Sequence, residues 1–183
     1  MRAADGIVTQ RARTVTRTYL EMRSPDELRP ARVPDPAPTL DLVSPPDGSL
    51  SRELYLAVGQ AWWWTERQDW PVEAWERWAA GAATWVGHLA GERIGYGELY
   101  LREPGELELA YFGLLPGWSG RGLGGHLLTE LVRRAWKAPG TSRVWLSTGS
   151  LDSEAALPGY LKRGFVPFKT LEEPRPAPPR FLP

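Results

Sequence analysis

The chain has 183 residues, 22 of them basic and 22 acidic, with no cysteine and two histidines, His88 and His126. That length builds one ordinary domain with a real core, and its balanced charge supplies no net field toward nucleic acid or an anionic membrane. The missing cysteines exclude disulfides, thiolate metal sites and a cysteine nucleophile, and two isolated histidines argue against a metal centre. There is no apolar run of about 18 residues to cross a membrane and no apolar block near the start to act as a secretory signal, so a cytoplasmic protein is expected.

In chain order, residues 1–12 read as a disordered lead-in and "TVTRTYLEM" (14–22) as a strand. The proline-rich stretch after it forbids continuous helix and favours an extended arm that runs to residue 48. From Ser49, Leu50, Leu54, Val58 and Trp62 recur every four residues, a helical period. "WPVEAWERWAAG" reads as a second helix, with Pro71 near its start and Gly81 at its end. The period then changes: "ATWVGHLAG" and "ERIGYGELYLRE" read as strands joined by a tight turn at Gly91, and "ELELAYFGLL" as a third strand, apolar on both faces and so central. A long helix from about Gly120 carries Leu127, Leu128, Leu131, Val132 and Ala135 on one side. "SRVWLSTGS" is a further strand, "SEAALPGYLKRGF" a short helix ended by Gly164, and "FVPFKTL" a last strand before the proline-rich tail 173–183. This order is neither alternating doubly wound nor all-β; it is α+β.

Gly120-Arg121-Gly122-Leu123-Gly124-Gly125 spells the G-x-G-x-x-G of dinucleotide-binding loops. Its place argues otherwise. Most of the chain precedes it, "LPGWS" separates it from its strand, and too few strands follow to build a second mononucleotide half. The acidic residue expected about 20 positions on is missing, since Asp152 lies farther away. The physics of the loop survives. Unpaired amides at a helix start carry partial positive charge, and glycines let a phosphate, best a pyrophosphate, approach them. The competing explanation is close helix–strand packing through Gly122 and Gly124.

With these residues in view, residues 50–172 resemble the GCN5-related N-acetyltransferase (GNAT) superfamily. Ser119-Gly120-Arg121-Gly122-Leu123-Gly124 is similar to that family's Gln/Arg-x-x-Gly-x-Gly/Ala, with Leu114 and Pro116 in its Val-x-Pro places. Ser153, Ala156, Tyr160, Gly164 and Phe165 are similar to its Asn-x-x-Ala-x-x-x-Tyr-x-x-x-Gly-Phe. Ser119 and Ser153 depart from the usual Gln/Arg and Asn. The resemblance implies an acetyltransferase domain over 49–172, with a mixed sheet of six or seven strands, flanking helices, and two central strands splayed apart. It implies acetyl-CoA as co-substrate, with no metal. The cofactor would be held by Leu114, Ser119, Gly120, Arg121, Gly122, Leu123, Gly124, Gly125 and Ser153, with its pyrophosphate on the amides of residues 119–124 and its pantetheine arm on the edge of the strand ending at Leu114.

Acetyl transfer to an amine needs a base, an oxyanion donor and a proton for the departing thiolate. Glu108 is the candidate base. It lies 11 residues before Ser119, the spacing of the glutamate base in histone-acetylating relatives, and shares a strand face with Glu106, Ala110, Phe112 and Leu114. The alternative is a rim glutamate paired with an arginine, and Glu98 is the reserve base. Tyr160 is the candidate acid, its alternative a core tyrosine. The oxyanion donor is expected at a main-chain amide near Leu114, where such strands bulge. Trp64, Arg67, Trp70 and Phe112 are the candidate acceptor contacts, with Arg67 able to clamp a carboxylate; otherwise the tryptophans are core and Arg67 stacks on one of them. The expected function is acetyl-CoA-dependent N-acetylation of a primary amine on a small molecule, by a monomer or homodimer. The alternatives are an inactive acyl-CoA-binding module, or an acetyltransferase acting on protein N-termini or lysines.

Overall fold

A computed structural model describes residues 13–175. The lead-in 1–12 and the end of the proline-rich tail lie outside them. The chain runs β1 (Arg13–Met22), β2 (Thr39–Leu42), α1 (Gly48–Gly59), α2 (Val72–Gly81), β3 (Ala82–Leu89), β4 (Glu92–Glu103), β5 (Glu106–Leu114), α3 (Leu123–Lys137), β6 (Arg143–Gly149), α4 (Ala156–Lys162) and β7 (Val166–Arg175). The strands form one open seven-stranded sheet in the order β2-β3-β4-β5-β6-β1-β7. All neighbours pair antiparallel except β5 and β6.

Local chemistry explains most boundaries. The Asp47 side chain accepts from the Leu50 amide at 2.9 Å, so α1 starts at Gly48. It ends at Gly59 rather than running through Trp62: Trp63 takes a positive φ of 58°, and the amides of Trp62 and Trp64 both donate to the Gly59 carbonyl. Ala90 and Gly91, both at positive φ, close the β3–β4 hairpin. The long helix begins at Leu123, three residues later than its glycines announce, because Gly120 and Gly122 are left-handed (φ 79° and 75°).

Helices cover both faces. Leu127, Leu128, Leu131, Val132 and Ala135 of α3 are buried against Leu20 and Met22 of β1, Leu99 of β4, Leu107 and Leu109 of β5, and Val144 and Leu146 of β6. Tyr160 and Phe165 close this core beside α4. On the other face α1 and α2 pack Leu54, Tyr55, Val58, Trp75 and Trp78 over Tyr96, Tyr100 and Tyr111.

Two features depart from the sequence expectation. β1 does not stand apart from residues 49–172: it enters the sheet between β6 and β7, pairing Met22 with Val144 and Glu21 with Val166. The proline-rich arm then crosses the α3 face, where the Ala31 amide donates to Thr129 Oγ1 at 3.0 Å, and adds β2 at the far edge. The second feature is a bulge. Leu99 pairs with Leu109 but Glu98 pairs with Tyr111, which leaves Ala110 as an extra residue in β5. The expected single face breaks there. Glu108, Ala110 and Tyr111 turn to the α1–α2 side, whereas Phe112 and Leu114 pack on the α3 side.

Gly164 marks a second tight approach. Its φ is 99°, and a Cβ there would overlap the carbonyl oxygen of Glu27 in the arm. Gly159, by contrast, lies in α4 with nothing near its Cβ position. Gly164→Ala is expected to cost at least about 2 kcal/mol. Gly159→Ala should be neutral or stabilise by about 0.5–1 kcal/mol. Urea denaturation of the two variants checks the contrast; equal effects would contradict it.

Candidate functional site

β5 and β6 pair in parallel only at Glu106–Arg143, Leu107–Val144 and Glu108–Trp145. Beyond Glu108 they part, and a cleft of about 500 Å³ opens between them. β5 residues 108–114 form one wall, and Ser147, Ser153 and Tyr160 come from the β6–α4 side. The start of α3 closes one end, through Ser119, Gly120, Gly122, Gly124 and Gly125. Trp62, Trp64 and Arg67 from the α1–α2 loop line it as well.

At the α3 end, no side chain caps the helix, so its first-turn amides point outward without an internal acceptor. Cβ positions at Gly120 and Gly122 meet nothing within 4 Å, so the surface over these amides is open. An uncapped helix start flanked by open, left-handed glycines suits a phosphate group. The unpaired inner edge of β5 suits an extended chain that can hydrogen-bond to main-chain groups. Within the same loop, Arg121 and Leu123 contribute no lining. The Arg121 guanidinium lies 4.6 Å from the Trp118 ring centroid, and the Leu123 side chain is buried in the core. Ser153 lines the cleft and turns inward to its own loop, accepting from the Ala155 amide at 3.3 Å.

Glu108 lies on the cleft wall with its carboxylate in an ion pair with Arg102, itself carried on the bulge that leaves Arg102 unpaired in β4. Tyr160 lines the cleft from α4, and its phenol is pushed well above its ordinary range by burial and then by Asp152. It therefore stays protonated across the physiological range. Phe112 lines the cleft too, from the α3 side of the bulge. The irregularity expected near Leu114 sits four residues earlier, at Ala110, one residue after β5 leaves β6.

Glu98 is not on the cleft. It is 1% exposed, accepting from Trp78 Nε1 at 2.6 Å and from Thr84 Oγ1 at 3.1 Å. Burial raises its pKa despite these donors and the nearby charge of Arg67. Trp70 also stays behind the wall, packed on Trp75 and Trp78. Arg67 stacks as well as lining the cleft. Its guanidinium carbon lies 3.5 Å from the Trp78 ring centroid, 4.4 Å from Trp70 and 4.5 Å from Tyr111.

Among the cleft residues that sequence reasoning missed, three stand out. Arg17 arrives on β1, donating to Ser147 Oγ at 3.2 Å and pairing with Glu66 and Glu173. Asp152 accepts from Trp64 Nε1 at 3.2 Å, Thr148 Oγ1 at 2.8 Å and the Gly149 amide at 2.7 Å, tying the two walls together. Its place in "TGSLDSE", a run of turn residues, is the one local signal for it. Tyr111 reaches the α1–α2 side only because of the bulge. Among the described residues no group of three or more His, Asp or Glu could hold a metal ion, and no helix is long and apolar enough to cross a membrane.

An open mixed sheet whose parallel central pair parts around an uncapped, glycine-bounded helix start has the shape and main-chain donors that suit an extended, phosphate-bearing ligand. Comparison with known proteins makes the class specific. The model of the acetyltransferase (GNAT) family matches residues 51–165, more than half the chain, and the protein belongs to that family. Acetyl transfer is the chemistry this membership supports. A GCN5-related N-acetyltransferase from Kribbella flavida is 18% identical, with a TM-score of 0.64, over 92% of this chain and 61% of that one. A functionally unknown conserved protein from Staphylococcus epidermidis is 17% identical, with a TM-score of 0.59, over 87% of this chain and 60% of that one. An IAA acetyltransferase from Bacillus cereus is 25% identical, with a TM-score of 0.58, over 73% and 79%. The chain thus spans less than two thirds of the length of the first two. No curated protein matches it.

The buried carboxyl of Glu98 makes stability depend on pH. Its folded pKa lies above the ordinary value of 4.5, so its contribution is complete below that value and is lost as pH rises through the folded pKa. A glutamine can keep both contacts, its oxygen accepting from Trp78 and its amide donating to Thr84. Glu98→Gln is therefore expected to gain stability over the parent as pH rises above 4.5, measured by urea denaturation; a gap that does not widen would refute the assignment.

Proposed function

We propose that the protein is an acetyl-CoA-dependent N-acetyltransferase that acetylates a primary amine of a small molecule by direct attack. The observation carrying this reading is that the gap between β5 and β6 joins the uncapped α3 start to a cleft lined by Glu108 on its β5 wall and by Tyr160 on the facing α4 side. The main-chain amides around Ser119–Gly125 would hold the diphosphate, and the free edge of β5 up to Leu114 would pair with the pantetheine arm. Arg121 and Leu123 would take part only through their backbone. The co-substrate brings an acetyl group activated as a thioester; the remaining tasks fall to the chain.

Glu108 takes the proton that the amine gives up as its nitrogen bonds to the acetyl carbon. Arg102 pairs with the carboxylate and aims it. Tyr160, a phenol held in its protonated form by burial, donates to the sulfur as the carbon–sulfur bond breaks. Trp64 and Phe112 bound the acceptor's space, while Trp70 supports Arg67 from behind. The cleft is lined by the rings of Trp62, Trp64, Tyr111, Phe112 and Tyr160, which favours a small acceptor over a protein surface.

Glu108→Gln is expected to lower kcat by about 10²-fold or more while leaving the CoA affinity measured by calorimetry close to the parent's. Tyr160→Phe should lower kcat with little change in CoA binding, by a similar factor across the physiological pH range, because the buried phenol stays protonated throughout it. Gly122→Val, which puts a branched side chain at a left-handed position over the amides, should weaken CoA binding at least about tenfold. Full activity of Glu108→Gln across pH would remove the base from this scheme, and absence of any heat with CoA would remove the scheme itself.

A further inference from the structure

We propose that the acceptor amine also carries a carboxylate, and that Arg67 holds this carboxylate at the tryptophan end of the cleft. The inference rests on the N-acetyltransferase reading above and narrows it to amino carboxylic acids.

Three arginines line the cleft, and two of them are already paired. Arg17 engages Glu66 and Glu173, and Arg102 engages Glu108. Arg67 is 9% exposed, and among the described residues it has no ion-pair partner, while its Nη1 has no hydrogen-bond acceptor. Burying a cation without an anion is expensive, and ring faces repay only part of that cost. The rings of Trp70, Trp78 and Tyr111 crowd around the guanidinium carbon, but a ring face accepts none of the in-plane N–H bonds as a carboxylate does. Donors in one plane, forked at fixed spacing, select a planar acceptor with two oxygens.

The protein's own carboxylates near the cleft are engaged elsewhere. Glu98 gives its oxygens to Trp78 and Thr84, and Glu108 is held by Arg102. Asp152 accepts from three donors, and Glu66 accepts from Arg17 and Tyr55. The anion for Arg67 must therefore come with the ligand. Glu108 on the cleft wall favours an ammonium group at the other end of the same molecule. Trp62, Trp64 and Val58 supply an apolar wall for the body between the two charges.

The test pairs amino carboxylic acids with their decarboxylated amines, phenylalanine with 2-phenylethylamine and 4-aminobutyrate with propylamine among them, in an assay of CoA thiol release. In the parent, kcat/KM should favour the acid by at least about 10²-fold in one or more pairs. In Arg67→Met that ratio should fall to near unity, and Arg67→Lys, which keeps the charge and loses the fork, should fall between. Amines accepted without preference for a carboxylate, or a preference that survives Arg67→Met, would overturn the inference and leave the acetyltransferase reading intact. If no amine releases thiol, that reading fails, and calorimetry with N-acetylphenylalanine against its amide decides the inference by itself. Binding of the acid alone, lost in Arg67→Met, supports it; any other pattern overturns it. Should Arg67→Met not melt cooperatively, Arg67→Gln takes its place.

Discussion

The hydrogen-bonding edge that β5 turns toward β6 is the constraint on which the rest of the structure depends. A sheet interior normally satisfies both edges of each strand, and a buried strand edge left open is costly. Here β5 is satisfied by β4 along its length but by β6 only through Glu108. Two neighbours keep the gap from closing. Ala110 bulges and bends β5 just past the last pair, while β6 is committed to β1 from Val144 to Gly149. The open edge, the uncapped start of α3 and the phenol of Tyr160 are then three unsatisfied features facing one volume. A ligand with a diphosphate at one end and amide groups along an extended arm satisfies the first two at once.

The α1–α2 side of the sheet is built on a different compromise. Glu98 and Arg67 are a carboxyl and a guanidinium buried in the same aromatic layer without forming an ion pair. Each is stabilised separately: Glu98 by Trp78 and Thr84, Arg67 by the faces of three rings. Trp78 serves both, its indole N–H donating to Glu98 and its ring lying against Arg67. The tryptophan-rich segment is therefore core and cleft wall together. Trp75 and Trp78 fill the interior, whereas Trp62 and Trp64 reach the cleft because α1 stops at Gly59.

What the sequence revealed follows from how local each feature is. The glycine loop was legible because its chemistry is main-chain and its residues are contiguous. Tyr160 was legible through the spacing of a second motif on one helix and turn. The faces of β5 were half legible: alternation placed Glu108 correctly and failed at Phe112, since the bulge is set by pairing with Glu98 and Leu99 on another strand. Nothing near residue 13 signals that β1 will separate β6 from β7, a contact made across most of the chain. The short strand Thr39–Leu42 hides between prolines for the same reason, as it is ordered by β3 rather than by its own propensity.

That non-local strand has a chemical consequence. β1 holds β6 away from β7, and it delivers Arg17 to the mouth of the cleft opposite Glu66. Arg17 thereby links the first strand, the α1–α2 loop and the last strand through Glu66 and Glu173, while donating to Ser147 on β6. Asp152 makes a parallel connection deeper in, from the β6–α4 turn to Trp64 on the α1–α2 loop. Both links cross the gap without filling it. This end of the cleft is thus framed by residues drawn from four separated stretches of chain, tied by polar contacts at its rim rather than by closure of the sheet. Such a rim can be retuned by single substitutions without disturbing the core beneath α3 or the uncapped helix start at the other end of the cleft.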